Sequence, residues 1–209
     1  MPIQQNKPEF IRLLENNLKS ELPGEEAHDI MRTGPKLPKA TEYLTKSPVP
    51  SAVLILLFPK RDSFNFILTL RSKNVETHKG QISLPGGVQE GDESLEETAL
   101  REANEEIGVL PETVELIGEL STIYVPYSGF KIYPYVGWTN SAPNLKASAE
   151  EVEKIIFASI TELLNNDNQR KKTTVLRGLP VTMPYFNLNN EKVWGATSMI
   201  LSEFKQLIS

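Results

Sequence analysis

The feature that most constrains this chain is a short, strongly acidic segment that follows a glycine-containing loop. Eight carboxylates and a single cation, Arg101, lie between Glu90 and Glu106. Like charges at this density repel one another on a helix, and the repulsion grows where burial lowers the local dielectric. A bound divalent cation reverses that sign, because hard cations such as Mg²⁺ take carboxylate oxygens as ligands. The segment therefore indicates either a solvated acidic face or a metal site.

The acidic segment carries the start and stop signals of a helix. Ser94 and Glu97 have the spacing of a capping box, and Gly108 is placed to end the helix in the left-handed conformation. The predicted helix therefore spans about 95 to 107. One apolar stripe at i, i+4 spacing should face the core, formed by Leu95, Ala99, Ala103 and Ile107.

Three glutamates lie beside that stripe. At about 100° per residue, Glu102 and Glu106 fall on one edge of it, and Glu105 lies about 100° further round. Gly86 and Gly87 stand just ahead of the acidic segment, where a backbone without side chains can approach a metal or a phosphate closely. Alone, an acidic run is more often a solvated face and a glycine pair more often a turn, so a functional reading depends on their combination.

The spacing of the loop and helix residues is specific. Gly87 is followed after five residues by Glu93, and after seven more by Arg-Glu-Ala-Asn-Glu-Glu-Ile-Gly-Val, residues 101 to 109. This pattern resembles the Nudix box, G-x5-E-x7-R-E-U-x-E-E-x-G-U with U aliphatic, with Ala103 at one aliphatic position. Seven specified identities across 23 residues are too many to expect by chance.

The resemblance implies an α/β fold, namely the Nudix α/β/α sandwich with a mixed β-sheet and the box as a loop-helix-loop. It implies a hydrolase of nucleoside diphosphates linked to another group, dependent on Mg²⁺ or Mn²⁺. Glu93 and Arg101 would mainly orient the helix, and one carboxylate would help to deprotonate water. The implied metal ligands are Glu102, Glu105, Glu106 and the Gly87 carbonyl, and the implied catalytic set is Glu102, Glu105 and Arg101.

The residues upstream of the box resemble a subgroup of the family, the coenzyme A diphosphatases. Leu-Thr-Leu-Arg-Ser at residues 68 to 72, together with His78, Gly80 and Pro-Gly-Gly at 85 to 87, matches the signature of that subgroup, whereas Leu84 replaces the usual Phe. The resemblance covers most of residues 50 to 205. The substrate-binding residues it implies are Arg71, Ser72, His78 and Gly86.

This resemblance implies cleavage of coenzyme A or an acyl derivative to 3′,5′-ADP and 4′-phosphopantetheine. The cations around Arg71 would hold the 3′-phosphate, since a net acidic protein needs local cations to bind such a ligand. The box fixes the diphosphate chemistry rather than the linked group, so ADP-ribose, dinucleotides and nucleoside triphosphates stay alternatives. A non-catalytic binding module is a further alternative, against which the intact Glu102, Glu105 and Glu106 argue.

A distal carboxylate completes many Nudix sites. Residues 149 to 153, Ala-Glu-Glu-Val-Glu, resemble the Asn-Pro-x-Glu-Val segment of the subgroup, which makes Glu151 a candidate ligand. The apolar spacing over residues 152 to 164 predicts a helix. An acidic helix N-terminus that complements the helix dipole is therefore an equal alternative for Glu151.

Composition excludes several classes of protein. The 22 basic and 27 acidic residues give a net charge of −5, which provides no general attraction to nucleic acid or anionic lipid. Cysteine is absent, so disulfides, thiolate ligands and cysteine nucleophiles are excluded, and two histidines argue against a His-rich zinc site. With no transmembrane-length apolar run and no secretory pattern at the N-terminus, we expect a cytoplasmic protein without a membrane or nucleic-acid partner.

The chain divides into two predicted parts. Residues 1 to 49 should form an amphipathic helix from Pro8 to Leu18, followed by an extended proline-containing segment packed on the core, and residues 50 to 209 should form the Nudix domain. The N-terminal helix and the family resemblance favour a homodimer. Apolar runs at 52 to 58 and 64 to 70 should pair as strands across a turn. Further strands and a closing helix are expected after residue 113, without a regular βαβ repeat.

Overall fold

A computed structural model describes residues 7–34, 47–61, 63–72, 80–126, 128–176 and 178–209. Within these residues the chain forms five α-helices and eleven β-strands. The helices are α1 (Glu9–Leu18), α2 (Gly24–Ile30), α3 (Leu95–Ile107), α4 (Ile160–Leu164) and α5 (Gly195–Leu207). The strands are β1 (Val49–Lys60), β2 (Ser63–Arg71), β3 (Ile82–Ser83), β4 (Gly86–Val88), β5 (Glu115–Glu119), β6 (Ile123–Val125), β7 (Phe130–Trp138), β8 (Val152–Ser159), β9 (Gln169–Leu176), β10 (Leu179–Leu188) and β11 (Glu191–Val193).

The main sheet is mixed and is organised around β1. This strand pairs antiparallel with β2 and β4 and parallel with β7, and the sheet runs β3-β2-β1-β7-β5 with β6 added on β7 and β8 on β2. The strands β11-β10-β9 form a second, antiparallel sheet. The predicted α/β class with a mixed sheet is confirmed.

The apolar run in β1 is continuous because helices cover both faces of the sheet. Leu54 and Leu56 belong to the core beneath α3, whereas Ile55 and Leu57 belong to the core that contains residues of α1 and α5. A strand buried on both faces has no polar side to present, so its sequence shows no alternation. Within the described residues, no helix is long and apolar enough to span a membrane.

The helix predicted over residues 152 to 164 is wrong for most of its length. The structure has the strand β8 up to Ser159 and only then the short helix α4. Ile156 and Ala158 are buried against β2, and this pairing outweighs the helical spacing of the segment. A capping box marks the start of α4: Ser159 Oγ accepts the Glu162 N–H at 3.0 Å, and Glu162 Oε2 accepts the Ser159 N–H at 3.0 Å.

The segment after the first helix also differs from its prediction. The segment between Leu18 and residue 49 is extended in the prediction, but the structure forms α2 within it, and residues 35–46 lie outside the described part of the chain. Leu14 on α1 and Met31 after α2 are fully buried in the same core as Phe204 of α5. Both helices therefore pack on the sheet domain.

A buried polar cluster joins α2 to α5. Glu203 is fully buried, and its Oε2 lies 2.9 Å from Nε2 of the buried His28. The backbone N–H groups of Gly24 and Ser121 donate to the same carboxylate at 3.1 to 3.3 Å. Burial alone would raise the pKa of Glu203, but the hydrogen bonds from His28 and Ser121 outweigh it and hold this pKa below its usual value.

We expect Glu203→Ala to lower the free energy of unfolding by about 3–5 kcal/mol, because it leaves His28 and two backbone donors buried without their acceptor. Urea denaturation of the purified protein measures this loss. The matched control is Glu191→Ala, which removes a more exposed 3.0 Å ion pair with Lys154 and should cost at most about 1 kcal/mol. Equal losses for the two variants would contradict the role assigned to the buried cluster.

Candidate active site

The helix α3 begins and ends where its capping residues place it. Glu97 N–H donates to Ser94 Oγ at 3.2 Å, and Ser94 N–H donates to Glu97 Oε2 at 2.7 Å. At the other end, Gly108 adopts φ 72°, which only glycine takes up without strain, and its N–H bonds the Asn104 carbonyl. The observed limits agree with the prediction. The acidic residues therefore have the helical spacing that was expected of them.

Arg101 connects the loop before α3 to the helix. Its Nε and Nη2 bind the two oxygens of Glu93 at 3.0 and 2.9 Å, and Nη2 also binds the Val88 carbonyl at 3.0 Å. Its Nη1 binds Glu102 at 3.0 Å and Glu105 at 2.8 Å. These bonds occupy all five N–H groups of the guanidinium. Arg101 is thus held in place as an organising cation of the loop and helix.

Glu93 is the fixed partner of Arg101. Besides Arg101, its carboxylate accepts the hydroxyl of Thr98 at 2.8 Å and the backbone N–H of Glu90 at 2.9 Å. Chiefly because of the hydrogen bond from Arg101, the pKa of Glu93 is lowered to about 2. Thr98 is fully buried, and the sequence analysis did not name it as a site residue. A hydroxyl on the core side of an acidic helix is the sequence feature that could have indicated its role.

Three carboxylates converge at the centre of the site. Glu102, Glu106 and Glu151 each offer an oxygen, and these oxygens lie within 4.8 Å of one another. Glu106 is almost completely buried, and its Oε2 has no hydrogen-bond partner among the residues that the structure describes. Glu102 and Glu151 are partly buried. Such an unpartnered, buried carboxyl oxygen points to a ligand that the protein itself does not supply.

The strand pairing of β2 with β8 positions Glu151. Leu70 lies opposite Lys154 while Arg71 lies opposite Val152, so the register shifts at the end of β2. The Ser72 N–H then donates to the Glu151 carbonyl at 2.8 Å. A bulge of this kind redirects side chains near the end of a sheet. It brings a residue far from the box in sequence to the carboxylates of α3.

The two loop glycines are required by close packing. A Cβ at Gly87 would collide with the carboxylate of Glu102, and a Cβ at Gly86 would collide with the backbone of β1 at Ala52 and Val53. Gly87 therefore gives Glu102 its room beside β4, and Gly86 allows β4 to approach β1. The carbonyl of Gly87 as a metal ligand stays a prediction.

Not every residue implied by the resemblance joins the cluster. Glu105 lies outside it, with half of its side chain exposed and its Oε2 paired to Arg101 at 2.8 Å. Arg71 does reach the cluster, where its Nη1 donates to Glu106 Oε1 at 3.1 Å. Ser72 is buried beside Glu151, and His78 lies outside the described residues.

The three clustered carboxylates fit a divalent cation of the Mg²⁺ or Mn²⁺ type. All three groups offer oxygen atoms, which hard cations prefer as ligands, and the unpartnered Oε2 of Glu106 could bind the cation. Burial, the largest cause, raises the pKa of Glu106 to about 8, although Arg71 acts in the opposite direction. Burial also raises the pKa of Glu102. Without a cation it is therefore costly to ionise all three carboxyl groups at once.

We expect the stability of the metal-free protein to fall as the pH rises from about 5 to about 8. The pKa of Glu106 is higher in the folded protein than its usual value of 4.5, so its contribution is fully present below pH 4.5 and is lost as the pH passes about 8. Urea denaturation in chelator at several pH values measures this loss. In Glu106→Gln the part of this loss of stability that is due to Glu106 should disappear. The same pH dependence in wild type and in the variant would contradict the raised pKa of Glu106.

Comparison with known proteins identifies the family of this chain. The sequence model of the NUDIX domain matches residues 48–177. The chain is 32% identical to the human mitochondrial coenzyme A diphosphatase NUDT8 over 175 residues, which cover 81% of this chain and 74% of that protein. It is 34% identical over 162 residues to the chloroplastic Nudix hydrolase 22 of Arabidopsis thaliana, covering 74% of this chain. There the chain spans 53% of the relative's length.

Among solved structures, the MutT protein from Methanosarcina mazei Go1 has the same fold. It superposes with a TM-score of 0.50 at 20% identity, over 78% of this chain and 96% of that one. At this identity the likeness concerns the fold alone. Together with the carboxylates on α3 and the domain match, these findings establish that the chain belongs to the Nudix hydrolase family.

Proposed function

We propose that this Nudix hydrolase cleaves the diphosphate of coenzyme A or an acyl-coenzyme A, giving 3′,5′-ADP and (acyl-)4′-phosphopantetheine. The observation that carries the diphosphate chemistry is the buried carboxylate cluster of Glu102, Glu106 and Glu151 beside the glycine loop. The choice of coenzyme A is supported by the signature residues that precede the box and by the similarity to NUDT8, whose name states that activity.

Within this proposal the clustered glutamates hold the divalent cation. When bound, Mg²⁺ or Mn²⁺ supplies charge stabilisation for the diphosphate and a water molecule of lowered pKa. Arg101 and Glu93 keep α3 and its carboxylates in place, which costs no reorganisation during the reaction. Water attacks one phosphorus, its new P–O bond forms as the bond to the bridging oxygen breaks, and the released phosphate carries the bridging oxygen. No covalent enzyme intermediate is needed.

Other diphosphates form the rival class of substrates. In this proposal the box residues of α3 act on the phosphate chain that all these compounds share and do not choose among them. Turnover of a panel containing coenzyme A, ADP-ribose, dinucleotides and nucleoside triphosphates, with product masses, distinguishes the substrates. Release of 3′,5′-ADP from coenzyme A faster than turnover of the rest supports the proposal. Faster turnover of ADP-ribose would replace it. Cytoplasmic location and homodimerisation stay predictions from the sequence.

We expect Glu106→Gln to lower kcat by more than about 100-fold with the fold intact, because it removes the most buried charged oxygen of the cluster. Steady-state kinetics and circular dichroism measure the two effects. Glu96→Gln is the matched control, because it removes an exposed carboxylate of the same helix at an unspecified position of the box, and it should keep activity close to that of wild type. Near-normal turnover in a folded Glu106→Gln variant would remove the proposed metal site.

Coenzyme A should be hydrolysed with a higher kcat/KM than dephospho-coenzyme A. The reason is the basic segment between β2 and β3, which includes Lys73, His78 and Lys79 and offers cations for the 3′-phosphate. Parallel kinetics on the two compounds, at equal ionic strength, test this preference. Equal kcat/KM values would contradict a contact to the 3′-phosphate.

A further inference from the structure

Arg71 lies at the end of β2 on the face that α3 covers. Along this strand Phe66 and Leu68 belong to one core, and Ile67 belongs to the core beneath α3. Because side chains alternate along a strand, Arg71 shares the face of Ile67. Its guanidinium therefore meets the carboxylates of α3, where Nη1 lies 3.1 Å from Glu106 Oε1.

Arg71 and Arg101 are the two described arginines paired with clustered carboxylates, and they differ in their remaining donors. Arg101 has all of its N–H groups engaged by Glu93, Val88, Glu102 and Glu105. Within the described part of the chain, Arg71 has one side-chain hydrogen bond, and its buried Nε has no partner. A buried N–H without an acceptor is costly even on a partly exposed guanidinium, unless a ligand supplies the acceptor.

We propose that Arg71 binds an oxygen of the substrate's diphosphate directly beside the carboxylate cluster, rather than the 3′-phosphate. This rests on the proposed diphosphate hydrolysis and names one residue of its phosphate subsite. A diphosphate approaching three carboxylates needs a cation to offset their repulsion, and a planar guanidinium can bind phosphate oxygens through two N–H groups at once.

The position of Arg71 separates the two phosphates. In coenzyme A the ribose stands between the 3′-phosphate and the diphosphate, and the diphosphate is the part that must reach the carboxylates. A guanidinium held 3.1 Å from Glu106 is therefore placed for the diphosphate. Its buried Nε has no acceptor among the described residues.

The kinetic test compares two substrates. We expect Arg71→Gln to lower kcat/KM by about 100-fold, or about 2.7 kcal/mol, for coenzyme A and for dephospho-coenzyme A alike. Arg71→Lys, which keeps the charge but loses the planar fork, should lose less. Arg170→Gln is the control for loss of an exposed arginine charge and should retain full activity. A loss confined to coenzyme A, or no loss on either substrate, would overturn the proposal.

A binding test does not depend on turnover. Calorimetric titration with methylenediphosphonate in excess Mg²⁺ should show binding to wild type and at least about tenfold weaker binding to Arg71→Lys, while adenosine 3′-monophosphate binds both equally. Mn²⁺ affinity of Arg71→Lys should match wild type; weaker Mn²⁺ binding would mean that Arg71 acts only through Glu106 and would overturn the proposal. If wild type binds methylenediphosphonate but does not turn over coenzyme A, the substrate assignment fails while that of Arg71 stands.

Discussion

Concentrating carboxylates at one buried point is the constraint on which the rest of this site depends. If both are ionised, two carboxylate oxygens no more than 4.8 Å apart repel by at least about 3 kcal/mol at an effective dielectric constant of about 20, and Glu106 is almost fully buried. The protein offsets part of this with Arg71 on Glu106 and Arg101 on Glu102. The remaining negative charge raises the affinity of the cluster for a divalent cation.

The rigid surroundings of the cluster follow from that cost. Arg101 binds the loop through Glu93 and Val88 and binds the helix through Glu102 and Glu105, so one side chain joins the loop to the helix. Gly87 brings β4 against Glu102 without a side chain between them. A site that holds like charges together needs such support, because any freedom would let the carboxylates separate.

The N-terminal helices belong to the same folded body as the site. Residues of α1 and Met31, which follows α2, are buried in the core on the opposite face of the sheet from α3, and the pair of His28 and Glu203 connects α2 to α5. Helices on both faces leave β1 without an exposed side, and β1 carries β4 and thereby the glycine loop. The packing of the N-terminal helices on the sheet therefore helps to hold β1, and through β1 the glycine loop, in place.

The sequence by itself determined the local elements around the site. The capping residues Ser94 and Gly108 fixed the limits of α3, and helical periodicity then fixed the relation of Glu102 to Glu106, because both depend on neighbours within a few residues. Contacts over long sequence separations were decided by the tertiary structure. Where the sequence predicted a helix, pairing with β2 makes the segment the strand β8. This pairing also brings Glu151 to the cluster. The same packing turned Arg71 toward Glu106 and left Glu105 outside, since burial and cross-strand register depend on residues that helical or strand periodicity cannot relate.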